Sequence, residues 1–459
     1  MGKKFKVIAI ILCVILLVGM TAGCATRGGG GGGGGGDTGG GGATDSGNGG
    51  DAGGGGVTID FASFAAEGEP IQPWYEEMIA EYEQVSGNKV KISYNGRDVL
   101  TKIKTRILTG DPPDIVEQDG SEISAALLAS EILCEPLDGL LDSPGLDGEA
   151  QLRDAFNKEI LNMYAKDGKV YFVPYNFITS GFFYDKTMFK NMGISVPKTW
   201  DEFIAAGEKF NEAGIPFLAL DGNISFYNAY YFYWACQRVM GTGNFFRAAT
   251  DTTGAAWDEP GYLQAAEMVH EISKGGRNFF QEGYSGSAFP QAQSDWALGN
   301  AGCVLCGTWI PVETRDLVAD DWEFGFFPFP EVVGGKGDPK ETEAYLIGFA
   351  IPKGAKNVDA AQDFIKFMSQ KKSAEIYVKY TDNMSSRLDT PPPAVLADVQ
   401  PYLEASTGMF LSYDGVQNGA PQWWADVFYN YNDQLTFGQI TAPEFIKQIK
   451  QATIDFYKK

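Results

Sequence analysis

Cys303 and Cys306 stand at CxxC spacing, and His270 is the one histidine, so these are the residues to weigh first for redox or metal chemistry. The pair lies in Ala301–Cys306, which reads as a buried strand where i and i+3 point to opposite faces. There is no second CxxC, and a lone histidine cannot complete a tetrahedral site. Small buried hydrophobes are therefore the expected role of both thiols, as for Cys134 and Cys236. No G-x-S-x-G, P-loop or HExxH pattern occurs. A glycosidase needs only two carboxylates, and a chain with 59 acids leaves that possibility open. Paired tyrosines could hold ferric ion, but Tyr230-Tyr231 lie in a stretch that reads as helix core. The expectation is a protein that is not an enzyme, with no cofactor and no metal.

The elements that would position a site follow from periodicity. Val57–Phe64 reads as a strand, Pro70–Ser86 as a helix, Lys89–Tyr94 as a strand, Val99–Leu108 as a helix, Asp114–Glu117 as a strand and Ser121–Ser130 as a helix. Such alternation predicts a parallel α/β sheet. In such sheets ligands sit beyond the carboxyl ends of the strands, here the polar turns Ala65–Glu69, Asn95–Asp98 and Gln118–Gly120. Further on, the apolar run Val170–Val173 is stopped by Pro174 and resumes at Gly181–Tyr184. That break predicts a crossing between two lobes. Thr199 with Glu202, and Thr441 with Glu444, predict capping boxes opening two later helices.

The 459 residues exceed one ordinary core and imply about two domains once the N-terminus is set aside. Lys3, Lys4 and Lys6 precede the apolar run Val7–Val18, the pattern of a signal segment over residues 1–23. Thr21-Ala22-Gly23-Cys24 is similar to a lipobox, with Thr21 where leucine is usual, and implies lipidation of Cys24. Residues 24–56 then hold the lipidated cysteine and a tether. Ala25–Gly56 has 20 of the chain's 58 glycines and no apolar residue larger than alanine, too little to offset ordering entropy. The formal charge of −23 argues against nucleic-acid binding, which needs a basic face.

Four motifs in order and spacing resemble the extracellular solute-binding proteins of ABC importers, in particular the carbohydrate-binding group that includes maltose-binding protein. They are the turn Leu108–Val116 (LTGDPPDIV), the stretch Gly168–Phe203 (GKVYFVPY…GFFYDKTMFKNMGISVPKTWDEF), Trp296–Trp309 (WALGNAGCVLCGTW) and Gly348–Met368 (GFAIPKGAKNVDAAQDFIKFM). Asp185 replaces the usual asparagine, and Gly302-Cys303 replace alanine and methionine. The resemblance implies a periplasmic-binding-protein-like α/β fold, two lobes joined by hinge strands with a ligand cleft between them. Crossings are expected near Val173–Tyr175, Phe349–Ile351 and Met409–Gly415. Lobe 1 would comprise 57–174 and 350–412, and lobe 2 would comprise 175–349 and 413–459. It also implies an oligosaccharide ligand, ABC permease subunits as partners, a monomer, and a place on the outer face of the membrane.

A pyranose presents a C–H face and a rim of hydroxyls, so its site wants flat aromatics beside carboxylates, amides or arginine. With 31 Phe, 21 Tyr and 9 Trp the chain has many candidates. Trp309 follows a strand end and matches a tryptophan that stacks on sugar in the family. Asp119 matches a hydroxyl-binding acid. Glu67, Asn95 and Arg97 lie on the other strand ends, and Tyr227 opens an aromatic helix. Tyr175 and Asn176 would floor the cleft at the hinge. Asn383 and Arg387 occupy a segment that reaches the cleft in relatives, and of Trp423 and Trp424 one would stack and one would pack. The open alternatives are a surface glycoside hydrolase and a binder of polyamine or ferric ion.

Overall fold

The structure is a computed structural model and describes residues 56–458. The expected signal segment, Cys24 and nearly all of the tether lie outside the described residues.

Eleven strands form two sheets: β1 (Thr58–Ser63), β2 (Lys89–Tyr94), β3 (Ile115–Asp119), β4 (Val173–Ile178), β5 (Ser180–Asp185), β6 (Leu218–Ala219), β7 (Cys303–Gly307), β8 (Phe324–Phe327), β9 (Thr342–Ala350), β10 (Met384–Ser385) and β11 (Met409–Leu411). The first sheet runs β10-β4-β9-β3-β1-β2, with β11 also on β9, and the second runs β6-β7-β5-β8. The opening units fold as their alternation requires. The helices Gln72–Ser86 and Val99–Leu108 carry β1, β2 and β3 into parallel register. Gly87 ends the first of these helices at φ +74, a left-handed cap that glycine adopts at no steric cost. Beyond β3 the sheet is mixed rather than parallel, because β9 returns antiparallel to β3 and β4. The third expected helix is short, Gly120–Ile123, and continues as a π-helical segment Ser124–Leu128. Two apolar clusters fill the interior: one is built on Phe61, Val116, Leu346 and Phe364 and runs on into Trp296, Val304, Ile310 and Phe326 beside the second sheet, and the other is built on Phe182, Phe232, Trp257 and Phe445. No helix among the described residues is long and apolar enough to cross a membrane.

The proline expected to stop the ladder does not. β4 begins at Val173 and passes through Pro174, because the register shifts between Pro174 and Asn176 in a bulge that absorbs the missing N–H. Gly348 faces this bulge, and a Cβ there would lie 2.3 Å from the Val173 carbonyl oxygen. The chain therefore changes sheet at Thr179, between β4 and β5, rather than at Val173–Tyr175. It is back in the first sheet by Thr342, where β9 begins, earlier than Phe349–Ile351. The third passage follows Leu411, within the expected Met409–Gly415, because β11 still pairs with β9 of the first sheet, although the segment before it already touches the second lobe. The Leu388 N–H still donates to the Ala155 carbonyl of the first lobe at 3.0 Å. After Pro391-Pro392-Pro393, Asp398 pairs with Lys186 at 2.8 Å and the Tyr402 ring meets Phe326 of β8. Of the two capping boxes, that of Thr441 and Glu444 forms, with the Thr441 N–H donating to Glu444 at 2.8 Å. Thr199 caps its helix, but Glu202 reaches past it to the Lys198 N–H.

Tyr175, expected in the cleft, belongs to the first core. Its hydroxyl and that of Tyr75 both donate to Glu117, which also accepts from the Ser63 hydroxyl at 2.6 Å. The rings of Trp74, Phe349 and Tyr377 enclose Tyr175. Burial lifts the Glu117 carboxyl to about 7, against the pull of its three hydroxyl donors. The folded value lies above the ordinary 4.5 of an unfolded chain. The stability this group contributes is therefore fully present below 4.5 and is lost as pH rises through about 7. Relative to Glu117→Gln, which cannot ionise, the native protein should lose about 3 kcal/mol across that window in urea unfolding. Parallel stability curves for the two proteins would contradict this.

Candidate functional site

The carboxyl ends of β1, β2 and β3 converge on one wall. Arg97 fastens them together: its guanidinium donates to the Phe64 carbonyl at 3.0 Å and to Glu69 at 3.2 Å, and lies 4.6 Å over the Phe64 ring. Its own carbonyl accepts from Gln118 at 2.9 Å. Glu67 is exposed beside it. Asn95 turns its amide back onto Ser93, at 2.9 Å to the carbonyl. Asp119 is buried and accepts from the Ser121 N–H and hydroxyl, capping the short helix that presents Glu122. Burial raises the Asp119 carboxyl. It orients the helix rather than offering itself to a ligand.

The second lobe supplies the other wall from the end of β7. Trp309 is half-buried, and its ring folds back over Gly307, where a Cβ would lie 2.0 Å from the indole. Only a residue without a side chain permits that pose. The ring stands 6.5 Å from Tyr345 of β9. The helix Ile310–Thr314 follows and carries Glu313 one turn beyond Trp309. Gln293 lies against Glu313 and donates to the Tyr227 hydroxyl at 3.2 Å, while its Oε1 is buried without a partner.

Accessible area and crowding point different ways for Glu122 and Glu313. Solvent reaches both side chains, yet protein surrounds each closely enough that desolvation lifts both carboxyls to about 7. A position deep in an open cleft satisfies both observations. Asp119 adds to the rise at Glu122, and the positive field of Arg97 opposes it at both acids. Aromatic surface, two carboxyls near neutrality, an amide and one fixed guanidinium are donors and acceptors suited to a polyhydroxylated ring. A separate cavity of about 720 Å³ lies beside β5, β8 and the start of β9, and none of these cleft residues lines it.

Of the residues expected from sequence, Glu67, Asn95 and Arg97 stand at the strand ends of the first sheet with Asp119 buried among them, Trp309 stands at the end of β7, and Tyr227 accepts from Gln293. The structure does not bring the others there. Asn176 is buried with its amide on the Tyr377 hydroxyl. Arg387 is buried, and its donors are engaged by Asp389, Glu149 and the Ser369 carbonyl. Asn383 turns its amide back onto the Thr381 carbonyl. Trp423 donates to the Thr453 hydroxyl at 3.1 Å, and Trp424 stacks on Phe428, so both pack in the second core. Glu122, Gln293, Glu313 and Tyr345 escaped the sequence reading. Glu313 had a signal, its spacing of four from Trp309 on a helix. Gln293 had none.

The sequence profile of the family described as bacterial extracellular solute-binding protein matches residues 65–375, and the chain belongs to that family. It is 24% identical over 301 residues to the diacetylchitobiose binding protein NgcE of Streptomyces coelicolor, covering 64% of this chain and 62% of that protein. It is 26% identical over 293 residues to the multiple sugar-binding protein of Streptococcus mutans, covering 61% of this chain and 64% of that one. The chain thus aligns with somewhat under two thirds of the length of these relatives. A solved chitin oligosaccharide binding protein superposes with a TM-score of 0.71 at 19% identity, covering 88% of this chain and all of the other. That likeness establishes the two-lobed fold.

Two substitutions separate site from scaffold. Gly307→Ala should displace the Trp309 ring and weaken ligand binding with little change in melting temperature. Arg387→Ala should cost about 3 kcal/mol in urea unfolding by leaving its carboxylates without their cation, with ligand affinity of the folded protein unchanged. The reverse pattern would place the site at Arg387.

Proposed function

We propose that this protein binds an oligosaccharide between its lobes and hands it to the permease of an ABC importer. The observation that carries the reading is the Trp309 indole held over Gly307 at the end of β7, with Glu313 on its own wall and Glu122 and Arg97 on the wall opposite. The indole would take the apolar face of a sugar ring, and the carboxylates and guanidinium its hydroxyls. The two relatives named for sugars support the same class of ligand. A ligand that touches both walls favours the closed arrangement by its differential affinity for it. We place the lobe divisions at Thr179, within 328–341 and just after Leu411. A lipid on Cys24 would hold the protein on the outer face of the membrane, with residues 25–56 as the tether and the globule acting as a monomer.

A thermal-shift screen over chito-, xylo-, malto- and raffinose-type oligosaccharides tests the reading. A true ligand at 100 times its dissociation constant adds about 2.7 kcal/mol of stability. Trp309→Ala should then weaken binding more than about tenfold while leaving the fold intact. Absence of any shift across the panel would sink the proposal, and release of shorter sugars during incubation would favour a hydrolase instead. Affinity should also rise between pH 5.5 and 8. Ionised Glu122 and Glu313 accept charge-assisted hydroxyl hydrogen bonds at both oxygens, and protonation below about 7 removes the charge and turns one oxygen into a donor. An affinity flat across that range would take both acids out of the contact set.

A further inference from the structure

An ion pair of Arg315 with Asp382 joins the helix after β7 to the first lobe. Arg315 stands at the C-terminus of the helix Ile310–Thr314, the element that begins after Trp309 and carries Glu313. Asp382 ends the helix Lys371–Thr381, which packs on the helix Gln72–Ser86 in the first lobe. The next residues enter β10, which pairs with β4 at Phe177 and Asn176. Two residues after Phe177 the chain crosses at Thr179. Each partner is thus mounted on a fixed element, one on the wall that bears the candidate stacking tryptophan and one beside the hinge strand.

We infer that the Arg315–Asp382 pair is a latch that biases the lobes toward closure, with Arg315 a positioning residue for the cleft. The inference rests on reading the cleft as the ligand site. The other opposed charges across the cleft do not form such a bond, since Arg97 is engaged by Glu69 and the Phe64 carbonyl on its own lobe. Asp382 is also held for the purpose. Its backbone is left-handed, at φ +49 and ψ +26, and its N–H donates to the Val378 carbonyl at 2.9 Å. An aspartate tolerates that conformation better than most side chains. Both partners remain partly solvated, at 46% and 28% side-chain exposure. Exposed pairs of this kind are weak and salt-sensitive. A weak latch suits a receptor that must also release its cargo, because it shifts the closed population without fixing it.

Spin labels on Leu108→Cys and Leu298→Cys, exposed positions on the first and second lobes, would report the separation in the absence of sugar. Cys13 and Cys24 are changed to serine in this background, and the four remaining cysteines are buried. Arg315→Ala should raise the long-distance population relative to the short one by about two- to fivefold. Asp382→Ala should do the same, and the double variant should add nothing. The reversed pair, Arg315→Asp with Asp382→Arg, should return the distribution toward that of the native protein. High salt should move the native protein and not Arg315→Ala. Because the distances are read without sugar, a failed sugar screen leaves this test intact. Unchanged distances in Arg315→Ala, or a reversed pair that behaves as the sum of two independent losses, would overturn the latch.

Discussion

A buried carboxylate holds the point where the chain passes between lobes. Glu343, at the start of β9, is 1% exposed and accepts from both the N–H and the hydroxyl of Ser180, the first residue of β5. The Trp234 indole donates to that same hydroxyl at 2.9 Å, so a helix of the second lobe is tied to the junction as well. Two passages of the chain are thereby joined through one side chain. No cation pairs with Glu343 among the described residues, and burial raises its carboxyl accordingly. Its Oε1 is buried without a hydrogen-bond partner, so loss of the Ser180 hydroxyl would leave the carboxylate with the Ser180 N–H alone. The sheets, the cores and the cleft walls all hang from this joint.

The same device recurs away from the joint. Asp414 accepts from the N–H groups of Gly243, Phe245 and Phe246 at the start of a helix, and so fixes the chain just after β11. Its own backbone, like that of Tyr413, is left-handed. Glu117 plays the equivalent part inside the first lobe. In each case burial raises the carboxyl, and the hydrogen bonds it accepts offset part of the cost of an ionised group in the interior. These acids organise connections. Glu122 and Glu313 differ in that solvent reaches them.

The sequence disclosed those parts of the molecule that depend on local pattern. The alternation from Val57 to Glu117 placed the first three strands within two residues, and the polar turns after them do stand at the carboxyl ends of those strands. Trp309 was legible as a tryptophan just past a strand end. Some of the failures share a cause: a partner that helped decide the residue's role lies far along the chain. Tyr175 turned inward because Glu117 waits 58 residues earlier, and Arg387 because Glu149 lies 238 residues away. Pro174 continues its strand because a bulge opposite Gly348 accommodates it. Nothing adjacent in sequence reports such contacts. Glu313 went unnoticed although its spacing of four from Trp309 was there to read, because a five-residue helix gives no second turn to reinforce it.

The account stands or falls on where a sugar sits. A crystal structure of the protein with the oligosaccharide that stabilises it most would decide. We expect a ring on the Trp309 indole, with hydroxyls within hydrogen-bond distance of Glu313 from one lobe and of Glu122 or Arg97 from the other. A sugar found outside this cleft, or held by one lobe alone, would contradict it.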